Sequence, residues 1–181
     1  MTYKLLPYRQ STPRVDSTTF LADGCAIIGN VTIKSNSSIW FNTVIRGDVD
    51  RISIGSNTNI QDLVVIHTSR KDGGYVDIGD NVTVGHSALL HACSIEDNAF
   101  IGMQSIIMDE SIISEHAFIA AGSLVPAGSI VRSKELWMGR PAKYVRMVTD
   151  AELKFMEENA RHYVELSKEH QLARDEPLNE I

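Results

Sequence analysis

The chain has 181 residues, 43% hydrophobic and 22% charged, with a formal net charge of −6. That length supports one domain with a sizeable core, and the negative balance argues against nucleic acid or an anionic membrane surface as partner. Met1 to Gln10 holds no apolar run flanked by basic residues and no stretch reaches membrane-spanning length, so neither a signal peptide nor a membrane span is expected.

Residues 1–14 carry Pro7 and Pro13 and read as an extended lead-in. From residue 15 to 131 an apolar residue recurs every six positions. The starts are Val15, Leu21, Ile27, Ile33, Ile39 and Ile45, then Ile54, Ile60 and Ile66 after a nine-residue step. Ile78, Val84 and Leu90 follow a twelve-residue step, and Ile95, Ile101, Ile107, Ile113, Ile119 and Val125 follow a five-residue step. Four positions after a start the residue is small or β-branched in seventeen of eighteen cases, Arg70 being the exception. Neither a helix nor an ordinary strand has this period. It is the signature of a mainly β fold, a left-handed parallel β-helix of hexapeptide repeats. Three units close one triangular coil, so eighteen starts predict about six coils. Asn and Asp-Gly pairs such as Asn30 and Asp23-Gly24 suit the corners, since both tolerate left-handed backbone. Residues 132–149 read as a connector. Thr149 and Glu152 form a capping-box pattern. A C-terminal α-helix is predicted over 150–171, with Leu153, Met156, Ala160, Tyr163 and Ser167 on one face. A frayed tail is expected from Asp175. The whole chain, 1–181, reads as a single domain.

Counting by threes assigns the histidines. Ile45, Ile66 and Leu90 start units six, nine and twelve, which stack on one face. The residues after them, Arg46, His67 and His91, share that face and point outward. Coils are spaced like paired strands, about 4.8 Å apart, so two imidazoles fall within reach of one metal ion. His86 lies two residues after Val84 on another face, with Asp62 stacked beneath it. It can join His67 and His91 only from a second chain, which predicts a homotrimer with three shared sites. The register requires the twelve-residue step to be a looped-out insertion, since an extra unit would start at Asp72, a poor inward residue. His116, His162 and His170 are read as ordinary surface histidines. Cys25 falls on a small inward slot, Cys93 is weighed only as a minor candidate ligand, and two unpaired thiols fit a reducing, cytoplasmic setting.

At these residues the chain resembles the gamma-class carbonic anhydrases of the hexapeptide-repeat superfamily. The matching segments are VIRGD (44–48), NIQD (59–62), VVIHT (64–68), VTVGHSALLHAC (82–93), IGMQSIIMD (101–109) and GRPAKYVR (139–146), within a resemblance spanning residues 5–165. The resemblance implies that His67, His86 and His91 are metal ligands from two subunits, holding Zn2+, with Fe2+ or Co2+ as alternatives. It implies a metal-activated hydroxide attacking CO2 to give bicarbonate. Gln61 would hydrogen-bond that nucleophile or the product, Asn59 would position substrate, and Arg46, Asp48 and Asp62 would form charged contacts across the trimer interface.

Two features depart from the family archetype. Val49 replaces a carboxylate, and the loop TSRKDGGYVD is short and lacks the glutamate proton shuttle, leaving Asp72, Asp77 and Tyr75 as substitutes. A hexapeptide acyltransferase using CoA, a metal-dependent thioesterase and a metal-stabilised trimer without turnover are the competing readings.

Overall fold

A computed structural model describes residues 3–175. The repeat builds three parallel faces. The first stacks Val15, Ile33, Ile54, Ile78, Ile95, Ile113 and Val131. The second stacks Leu21, Ile39, Ile60, Val84, Ile101, Ile119 and Trp137. The third stacks Leu5, Ile27, Ile45, Ile66, Leu90, Ile107 and Val125. The result is a left-handed parallel β-solenoid of about seven turns rather than six. The added turn comes from both ends: the lead-in places Leu5 beneath Ile27, and Val131 and Trp137 continue beyond the last counted start.

Every start except Val15 is buried. Each such Ile or Leu contributes roughly 1.5–3 kcal/mol through removal from water. The small residues fill the corners of the triangular core, and Ser37, Thr43, Thr58 and Ser105 are fully buried. The irregular steps keep this slot by counting back from the next start. Ile52, Val76 and Cys93 occupy it, while Val49 is 41% exposed. The twelve-residue step is a loop, because Ile54 pairs directly with Ile78. Its turn closes with Ser69 N–H donating to the Gly74 carbonyl at 2.8 Å.

One corner is a ladder of left-handed residues. Asn36, Asn57, Asn81, Asn98, His116 and Lys134 all have φ between 54° and 60°. Asparagine adopts this conformation at low cost. The connector is not irregular: Glu135–Gly139 and Ala142–Met147 pair as an antiparallel hairpin. The helix α1, Asp150–Asp175, runs past its expected end at residue 171. The capping box forms, with Glu152 N–H donating to Thr149 Oγ1 at 3.3 Å and Thr149 N–H to Glu152 Oε2 at 2.9 Å. The predicted apolar face packs on the second face of the solenoid. Met156 and Leu153 meet Leu136, Val148, Phe100 and Phe118, and Tyr163 and Leu166 meet Phe20 and Trp40. His170 joins this aromatic cluster, its ring 5.1 Å from Trp40. The remainder of the tail lies outside the described residues. No helix among the described residues is long and apolar enough to cross a membrane.

Candidate metal centre

Parallel pairing aligns Arg46, His67 and His91 across three successive coils of the third face. The imidazoles meet edge on: His67 Nδ1 is 3.3 Å from His91 Nε2, with ring centroids 5.2 Å apart. The outer nitrogens are engaged as well. His67 Nε2 lies 3.1 Å from Asp48 Oδ1, and His91 Nδ1 lies 2.6 Å from Asp109 Oδ1. A carboxylate only accepts, so each neutral imidazole places its proton on the outer nitrogen. The two inner lone pairs then converge on one point, which a cation relieves. The spacing fits a metal: tetrahedral ligands at about 2.0–2.1 Å lie about 3.3–3.4 Å from each other.

Partial desolvation raises the pKa of Asp48, but the hydrogen bonds from Arg46, at 2.6 Å, and from His67 outweigh it and hold the carboxyl below its ordinary range. Asp109 behaves alike: desolvation pushes it up, and His91 and a hydrogen bond with Ser69 bring it down further. Both carboxylates therefore stay charged beside their histidines at neutral pH.

His86 occupies the second face. Val84 pairs with Ile60, which places His86 over Asp62, and His86 Nδ1 lies 2.7 Å from Asp62 Oδ2. Asp62 Oδ1 accepts the Phe41 backbone N–H at 3.1 Å, which fixes the carboxylate. The preceding Gly85 lets the next coil approach, since a Cβ there would fall 2.7 Å from the Met103 nitrogen. Gln61 accepts the His86 N–H at 3.2 Å and donates to Asn59 Oδ1 at 3.1 Å. Asn59 donates to Thr83 Oγ1 at 2.9 Å, and Thr83 donates to Asn159 Oδ1 of α1 at 3.2 Å. This buried chain runs in one direction from the His86 backbone to the helix. Asn59 and Gln61 are 1% and 5% exposed, so both sit in the wall rather than open to solvent.

The structure thus joins His67 with His91 and keeps His86 apart. Among the described residues no three His, Cys, Asp or Glu side chains of one chain could together hold a metal ion. Asp48 and Asp62 each hold a histidine within the chain, a role beyond the interface contacts expected of them. Asp109 was not singled out by the sequence pattern. Its signal was present: Ile107 stacks on Leu90, so Asp109 stands over the turn that follows His91. Cys93 is buried in the core and is no ligand. Of the shuttle substitutes, Asp77 is ion-paired with Arg51 and Tyr75 lies under the Arg51 guanidinium at 4.3 Å. Asp72 remains exposed at the loop tip.

No family model matches the chain. A carbonic anhydrase of Geobacillus kaustophilus is 48% identical over 161 residues, covering 89% of this chain and 87% of that one. The chain belongs to the gamma carbonic anhydrase family. Gamma carbonic anhydrase 1 of Arabidopsis thaliana, a mitochondrial protein, is 43% identical over 173 residues, covering 93% of this chain. The chain spans about three fifths of that plant relative, 63% of its length. A solved hexapeptide transferase family protein from Anaplasma phagocytophilum superposes with a TM-score of 0.87 at 51% identity, covering 91% of this chain and 96% of that one. Gamma carbonic anhydrases are metal-dependent, and the paired imidazoles with carboxylate-held outer nitrogens are donors of the kind such a family needs.

Proposed function

We propose that the chain is a metal-dependent carbonic anhydrase-like lyase that interconverts CO2 and bicarbonate in the cytoplasm. It works as a homotrimer with three shared sites, His67 and His91 from one chain and His86 from the next. The observation that carries this reading is the convergence of His67 Nδ1 and His91 Nε2 at 3.3 Å with both outer nitrogens held by carboxylates. Exposed apolar side chains border each half: Val65 and Leu89 beside the paired histidines, and Leu63 and Met103 beside His86. Such patches favour burial against a second copy.

His67, His91 and a second chain's His86 would hold a Zn2+, Fe2+ or Co2+ ion, which would supply hydroxide at neutral pH for attack on CO2. The protein's residues do the rest. Asp48 and Asp62 fix the tautomers of His67 and His86, and Arg46 keeps Asp48 ionised. Gln61 has its amide oriented by the His86 N–H and Asn59, which leaves one amide N–H to orient the nucleophile or a bicarbonate oxygen. Asn59 positions substrate through Gln61, and Asp72 is the candidate to carry the proton to solvent.

Metal analysis of purified protein should return about one transition ion per chain. Less than about a third of an ion would remove the metal reading. Stopped-flow CO2 hydration on the Zn2+- and Fe2+-loaded protein should then fall at least about 100-fold in His91→Ala, the scale expected when a metal-ligand set is broken. Unchanged hydration in that variant rules out the proposed site. A CoA-dependent acyltransferase is the second reading, favoured by the transferase name of the Anaplasma neighbour. Calorimetric binding of CoA to metal-free protein would favour it, and a thioester panel run beside CO2 separates a thioesterase on the same site.

A further inference from the structure

The proposed mechanism assigns roles to Asp48 and Asp62 behind His67 and His86, and assigns none to Asp109, the carboxylate behind His91. His91 follows Leu90, buried and fixed, and precedes Ala92, which holds a left-handed φ of 44°. The Ala92 N–H donates to the His67 carbonyl at 3.0 Å, so the backbone on both sides of His91 is pinned. The ring is not set by that backbone: rotation about the Cβ–Cγ bond would exchange which nitrogen faces His67. What sets it is Asp109, whose Oδ1 accepts from His91 Nδ1 at 2.6 Å. Asp109 is held in turn. Its side chain is hydrogen-bonded with Ser69, and its carbonyl accepts the Gly128 N–H at 2.8 Å. The next residue, Glu110, donates its N–H to the Ala92 carbonyl at 2.7 Å, which ties the Asp109 turn directly to the turn after His91.

We infer that Asp109 is a further positioning residue of the site, the carboxylate that fixes His91 in the Nδ1–H tautomer with its Nε2 lone pair aimed at the metal. The inference rests on the proposed metal site. It also gives the short loop after His67 a task, since Ser69 of that loop braces Asp109 while Lys71 reaches Glu110 at 3.4 Å. A carboxylate behind a ligand imidazole fixes its orientation and raises its basicity, and losing such a partner costs about 10–100-fold in metal affinity.

The test uses full-length protein and two variants, Asp109→Ala and Asp109→Asn. Competition with a chelator gives Zn2+ and Co2+ affinity, and 15N imidazole resonances of metal-free protein give the His91 tautomer. Asp109→Ala should bind both ions about 10–100-fold more weakly and lose the Nδ1–H signal. Asp109→Asn keeps the shape and safeguards folding. Its neutral amide should give an intermediate loss of affinity of about 10-fold, together with a mixed or reversed His91 tautomer. A merely structural role would lower the melting temperature and leave tautomer and affinity untouched. Variant affinities within about twofold of the parent, with the His91 tautomer unchanged, would overturn the inference and leave the metal site standing. A parent protein that binds neither ion overturns the metal reading and this inference with it.

Discussion

Cys93 stands two residues from His91 yet takes no part in the site, and burial is the reason. The five-residue step pulls it into the inward slot that Ser94 would otherwise fill, and it is 2% exposed within the core. Desolvation pushes its thiol up to about 12, and burial likewise pushes Cys25 up to about 11. The thiolate is the reactive form. Native protein at pH 8 should therefore leave both cysteines unlabelled by iodoacetamide, with both labelled in denaturant, as mass spectrometry would report. Labelling of Cys93 in the native state would mean that the coil carrying His91 opens locally.

The ends of the elements carry more stability than their exposure suggests. Glu152 closes the capping box and also receives Arg146 at 2.8 and 2.9 Å. The Arg146 guanidinium and the Thr149 N–H hold its carboxyl down at about 2, against an ordinary 4.5. A depressed carboxylate stabilises the fold above its unfolded pKa and loses that contribution as pH falls. Glu152→Gln should lower the melting temperature by about 2–4 °C at pH 7, and the gap should close as pH falls from 4.5 toward 2. A gap independent of pH would assign the effect to the cap alone. At the corner ladder, Lys134 takes a φ of 60° at the rung where four coils use asparagine. Lys134→Asn should stabilise the protein by about 0.5–1 kcal/mol, read from denaturant midpoints. Inward apolar residues at a fixed period made the faces countable, and with them the meeting of His67 with His91 and the separation of His86. The seventh coil hid because Glu135 stands where a small residue was due, its carboxylate accepting instead from Trp137 Nε1 at 2.9 Å. The register places Asp109 over the turn after His91, but its role depends on a ring orientation, which residue spacing does not encode.

At the scale of the whole molecule, the solenoid holds its histidines on two faces, and the shared site proposed above follows from that separation. Parallel ladders fix His67 and His91 on the third face and His86 on the second. No rotamer change moves a ligand from one face of a packed prism to the other. If adjacent copies complete each site, two inactive variants should complement each other. His86→Ala retains the His67/His91 pair, and His91→Ala retains His86. Each alone should lose tightly bound metal. Co-expressed in equal amounts and mixed at random within trimers, they should recover about a quarter of the parent's sites, because an intact site needs one chain of each kind in one order. Metal content and CO2 hydration should return together to about that level. Mixing the two variants after separate purification should recover nothing until the trimers exchange subunits. No recovery on co-expression would place the site within one chain, against the register that the ladders impose, and recovery well above a quarter would mean that assembly selects for completed sites.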